Sequence, residues 1–103
     1  MIKTIKVYQA EALINQRDVD GLFYVDKVSH EDYSEIIFKS NLSDQLYSFY
    51  YCDDSDLGRI TIDTTEQFDA FLYDGDNDNL DVEVAPVKKV TKQISVTKYI
   101  GED

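Results

Sequence analysis

A chain of 103 residues has room for one hydrophobic core and not for two. Its 43% hydrophobic content, with eight tyrosines and five phenylalanines, argues against disorder, and one proline with four glycines argues against a linker. A formal charge of −11 makes nucleic acid and anionic membrane poor direct partners, because both are themselves negative.

The first segment, IKTIKVY, alternates enough to predict a strand with Ile5 and Val7 facing inward, and QAEALINQ adds a short helical turn. Asp20-Gly21 marks a turn before GLFYVDKV (21–28), which is rich in aromatic and β-branched residues and reads as a strand. SHEDY is a polar break, SEIIFKS (34–40) a further strand, and SNLSD the turn after it. DQLYSFYYC (44–52) is the strongest strand pattern in the chain. Its faces read Leu46, Ser48, Tyr50, Cys52 and Tyr47, Phe49, Tyr51, and neither carries a charge. That predicts a central strand covered on both sides, or one whose outer face meets a partner. DDSDLG then turns into RITI (59–62).

DTTEQFDAFLYDG predicts the principal helix, over about 64–73. Asp63 or Thr64 can cap it, Glu66 and Gln67 suit a capping box, and Phe68, Phe71 and Leu72 form one apolar stripe. Gly75 suits its left-handed end. LDVEVAPV and KQISVTKYI read as two more strands, with Pro86 confining the first to an edge or ending it. The expected architecture is α+β: a single domain over 1–103, with a largely antiparallel meander and one principal amphipathic helix packed across it. Lys3 and Lys6 interrupt the apolar character of the start, so no secretory h-region is expected, and the single Cys52 fits a reducing compartment. The expected location is cytoplasmic.

The stretch DGDNDNLDVEV (74–84) invites comparison with a calcium loop. Asp74, Asp76 and Asp78 stand where an EF-hand has its first three oxygen ligands. Asn79 stands where that loop needs glycine and Ala85 where it needs a bidentate glutamate, and a strand replaces the outgoing helix. The loop at 74–85 is therefore kept as a weak calcium-binding alternative, and no metal or other cofactor is expected. A plain turn built on Gly75, Asn77, Asp78 and Asn79 explains the bend. It does not explain placing Asp74 and Asp76 at a helix C-terminus, where carboxylates are disfavoured.

Catalysis finds little to work with. His30 lies in a polar break, Cys52 ends an apolar strand and reads as a core residue, and no glycine loop suits a phosphate. With 21 acids, a carboxylate pair carries no information. No enzyme is expected and no catalytic residue is assigned.

The charge is informative because of its placement. Residues 1–17 and 84–103 each sum to +2, while residues 18–83 hold eighteen acids against Lys27, Lys39 and Arg59, a sum of −15. Carboxylates on one strand face recur every ~6.6–6.8 Å and on one helix face about every 5.4 Å, while duplex DNA carries one charge per about 1.7 Å of axis. Asp53, Asp54, Asp56, Asp63, Glu66, Asp69, Asp74, Asp76, Asp78, Asp81 and Glu83 follow one another along the chain. Together with Tyr73 they form the expected partner-binding set, and Tyr47, Tyr50 and Tyr51 are further candidate anchors. The expected partner is a basic, nucleic-acid-binding protein whose phosphate groove such a surface would occupy. Small inhibitors of phages and mobile elements, anti-restriction and anti-CRISPR proteins among them, work as DNA mimics of this kind. A small structural, assembly or immunity-type interaction module is the alternative.

Overall fold

The computed structural model describes residues 1–54, 59–65, 70–71, 77–91 and 97–101, with the backbone alone at 54, 59, 70–71, 91 and 97–98. In chain order the elements are β1 (Thr4–Lys6), α1 (Val7–Ile14), β2 (Leu22–Ser29), β3 (Ser34–Ser40), β4 (Leu46–Asp54), β5 (Arg59–Ile62), β6 (Ala70–Phe71), β7 (Asp81–Glu83), β8 (Ala85–Thr91) and β9 (Thr97–Gly101). The class is α+β, as the sequence predicts, with every described strand pair antiparallel and a β2–β3–β4 meander at its centre.

The short helical turn expected in QAEALINQ forms as α1, whereas the principal helix expected over 64–73 is not borne out where that segment is described. The helix among the described residues is α1, which presents Val7, Ala10 and Leu13 to the core at three-residue spacing. Most of the 64–73 segment lies outside the described residues, but Ala70 and Phe71 pair as strand β6 with Ile62 and Thr61 of β5. An open strand edge can override a helical apolar spacing, because tertiary pairing outweighs local propensity.

Two layers make the core. One face of the sheet carries Ile36, Phe38, Tyr47, Phe49, Tyr51 and Ile62, and β1, α1 and β7 lie against it with Ile5, Val7, Ala10, Leu13 and Val82. The β1–β7 ribbon pairs Ile5 with Val82, so both inward residues of the ribbon meet the helix side. A two-residue turn, Asp20-Gly21, carries the chain into β2. Val19 and Leu22 exchange both backbone hydrogen bonds, and φ is +50° at Asp20 and +79° at Gly21, the paired left-handed geometry that suits Asp-Gly. A Cβ at Gly21 would approach the Asn41 amide to 3.1 Å.

The other face is closed at one end by the sheet itself. Tyr99 Oη on β9 donates to Asp26 Oδ2 on β2 at 2.9 Å, although β8, β4 and β3 separate the two strands. Four strand spacings in a flat sheet would span about 19 Å. The β8–β9 hairpin therefore coils over this face, and Ile37 and Val87 are buried beneath it, outside the main core. Pro86 pairs with Tyr47 and lies one residue beyond the end of the β9 ladder, where its missing N–H leaves no gap in that ladder.

Candidate functional site

β4 receives two strands along a single edge. Leu46, Tyr47 and Ser48 pair with Val87, Pro86 and Ala85 of β8, while Tyr51 to Asp54 pair with Ile62 to Arg59 of β5. Phe49 and Tyr50 lie between the two ladders, so the sheet forks there. The chain leaves the fork at Asp63 and returns to it through Glu83 and Val84. Two adjoining grooves meet at the fork and share Tyr50 and Asp63. One, of about 460 Å³, is lined by Tyr33, Cys52 and Thr61; the other, of about 440 Å³, by Lys3, Ser48 and Glu83. Volumes of that order suit a large side chain or a small ligand.

Strand alternation explains which side chains face the fork. Tyr47, Phe49 and Tyr51 turn into the core, so Ser48, Tyr50 and Cys52 turn to the opposite face. Register then places Glu35 beside Tyr50 and Ile37 beside Ser48. The coiled hairpin covers this face near Ile37 and leaves it open from Tyr50 to Cys52.

A chain of contacts fixes the open end. Glu35, 5% exposed, has its Oε1 3.3 Å from His30 Nε2. The His30 ring stacks on Tyr33 at 4.6 Å, and Tyr33 meets Tyr50 edge to face at 5.2 Å. Burial pushes the Tyr50 phenol pKa up, and the neighbouring Glu35 and Tyr33 push it further, so the hydroxyl stays protonated. The Ser48 hydroxyl pulls that pKa back in part, yet Ser48 Oγ meets no partner in hydrogen-bonding geometry, although the residue is 1% exposed. Cys52 is exposed, against the expectation of a core residue, and its thiol donates to the Asp32 carbonyl at 3.3 Å. The strand alternation that buries Tyr51 turns Cys52 outward.

The fold brings together some of the expected carboxylates and separates others. Asp63 and Glu83, twenty positions apart in sequence, line one groove. Asp81 shares the outward side of β7 with Glu83 but is held by Lys6 Nζ at 2.8 Å. Asp78 is half-buried in a turn, and its carbonyl accepts from the Tyr8 N–H. Asp53 is exposed on the side of β4 that faces away from the groove, and Asp54 pairs in register with Arg59 at the strand end. Asp56, Glu66, Asp69, Tyr73, Asp74 and Asp76 lie outside the described residues.

Of the tyrosine anchors, Tyr50 is 45% exposed, while Tyr47 and Tyr51 are buried in the core. The sequence reading passes over Tyr33, Lys3 and Ser48. Tyr33 sits in a polar break that reads only as a loop, and Ser48 gains meaning only once β8 is seen to end beside it. In the 74–85 loop, Asp81–Glu83 is strand β7 paired to β1, and Ala85 already belongs to β8. Among the described residues no group of three or more His, Cys, Asp or Glu side chains is placed to hold a metal ion, and no helix is long and apolar enough to cross a membrane. Comparison with protein-family models, with curated proteins and with solved structures gave no match.

Proposed function

We propose that this chain is a non-enzymatic acidic binding protein, an inhibitor that occupies the nucleic-acid-binding surface of a basic partner in place of DNA. The observation that carries the reading is the sum of −15 over residues 18–83 between two ends of +2 each. Self-repulsion on that scale works against a compact fold and exceeds what solubility calls for, about 2–8 charges in a small domain. Among the described residues Lys6 and Asp81 form an ion pair, and the His30 ring lies against Glu35. Complementary charge of this kind gives fast, salt-sensitive association, and exposed aromatics such as Tyr50 and Tyr33 supply residence time.

One observation favours the second reading, an assembly or immunity-type module. Asp53 faces away from the groove that holds Asp63 and Glu83, and several carboxylates serve the fold locally. Asp18 accepts from the Tyr24 N–H, and Asp20 from Tyr8 and Gln9.

Affinity capture from a bacterial lysate, washed at rising salt and challenged with duplex DNA, separates the two. A nucleic-acid-binding protein released by both DNA and salt is the expected result. A partner that DNA fails to displace would remove mimicry and leave the assembly reading. Replacing Asp53, Asp54 and Asp56 together with Asn should weaken the capture and flatten its salt dependence.

A further inference from the structure

We propose that the fork between β5 and β8 is a guanidinium site, in which an arginine of a basic protein partner lies against the Tyr50 ring and hydrogen-bonds to Glu83 and the Ser48 hydroxyl. The site rests on the reading above for the identity of its partner, and it adds a specific contact to a surface otherwise described by charge alone.

Three independent features converge on that ligand chemistry. The first is aromatic. Tyr50 offers a half-exposed ring in perpendicular contact with Tyr33, itself stacked on His30. A cation within about 6 Å of such a ring is attracted by its quadrupole. The second is electrostatic: Glu83 and Asp63 line the same groove, and Glu35 stands beside Tyr50 on the neighbouring strand. The third is the Ser48 hydroxyl, buried at the wall of the groove beside the Tyr50 phenol, with no partner in hydrogen-bonding geometry. A buried hydroxyl left unmade is a vacancy for a donor or an acceptor.

Arginine fits better than lysine for reasons of shape. Its planar head group stacks on a ring while presenting N–H donors in its plane, and it sheds water more readily than an ammonium. The grooves are open along one side, which suits a side chain projecting from another protein. Lys3 sits in the same groove as a resident cation. It opposes the incoming charge, so removing it should tighten binding.

The test titrates the intact protein with an arginine homopeptide and with a lysine homopeptide of equal length, at about 0.15 M salt, following backbone amide shifts. The expected result is a preference for arginine of about fivefold, with the largest shifts at Ser48, Tyr50 and Glu83. Tyr50→Leu and Glu83→Gln change exposed residues, and each should bring the preference below about twofold, while Lys3→Gln should strengthen binding. Equal affinity for the two peptides, shifts centred elsewhere, or a preference that survives Tyr50→Leu would overturn the site. The two proposals fail separately. An arginine preference lost in Tyr50→Leu, beside a captured partner that DNA cannot displace, keeps the site and removes mimicry. A partner that binds Tyr50→Leu as it binds the native protein, and is released by DNA from both, keeps mimicry and overturns the site.

Discussion

Ser48 sets a cost against a use. Taking a hydroxyl out of water without giving it a partner costs about 1–3 kcal/mol, and Ser48 does this in the central strand, flanked by the core residues Tyr47 and Phe49. Ser48→Ala removes the hydroxyl and breaks no hydrogen bond. Urea unfolding should therefore show stability unchanged or raised by up to about 1 kcal/mol, against a background in which most substitutions destabilise. A loss of more than about 1 kcal/mol would show that the hydroxyl has a structural partner. At this scale the sequence is legible only in part. Alternation in LYSFYYC separates two sets of residues correctly, but both sets are uncharged, so nothing local says that Tyr47 and Tyr51 turn inward while Tyr50 stays outside. That choice is made by Ile5, Val7, Ala10 and Leu13, which supply apolar surface to one face of the sheet. Asp63 and Glu83 were visible as acids. Their meeting depends on where β5 ends and β8 begins, which no short window of sequence contains.

Elements show the same division between local and non-local information. SEIIFKS and RITI form strands with the bounds expected of them, because turn residues flank β-branched runs on both sides. LDVEVAPV (80–87) reads as one strand and is divided between two: Asp81–Glu83 pairs with β1, and from Ala85 the chain is already β8, which pairs with β4 and β9. Val84, whose N–H donates to the Lys3 carbonyl, is the junction between the two sheets. Phe68, Phe71 and Leu72 keep a helical spacing, yet Ala70 and Phe71 pair as a strand with β5, a partner that no local window contains.

The β8–β9 hairpin gives the element scale its prediction. Burial first, and then the hydrogen bond and charge of Asp26, push the Tyr99 phenol from about 10 up to about 12. A folded pKa raised above the unfolded one stabilises the fold fully below the unfolded value, near 10, and loses that contribution as pH rises through about 12. Absorbance titration of tyrosinate should show one late component that Tyr99→Phe removes. The same substitution, which keeps the ring and deletes the bond to Asp26, should cost about 1–2 kcal/mol and speed amide exchange along Val87–Val90. Unchanged protection there would show that the hairpin is held over Ile37 by its apolar contacts alone.

For the molecule as a whole, the excess of acid acts on folding and on binding with opposite signs. Eighteen acids within 66 residues repel one another, and salt weakens that repulsion as the screening length falls from about 10 Å at 0.1 M towards about 3 Å at 1 M. Stability should therefore rise with sodium chloride over this range. A partner held by complementary charge should instead bind more weakly over the same range, chiefly through slower association. Replacing Asp53, Asp54 and Asp56 with Asn mimics salt locally: it should raise the melting temperature at low ionic strength and flatten its salt dependence, while lowering partner affinity. Thermal melts and association rates measured in one salt series, on the native protein and on this variant, test both signs together. Melting temperatures that fall with salt would mean that attraction, through pairs such as Lys6–Asp81, outweighs repulsion in the fold. The acid would then be explained by the domain's own stability, and the argument for a basic partner would lose its premise.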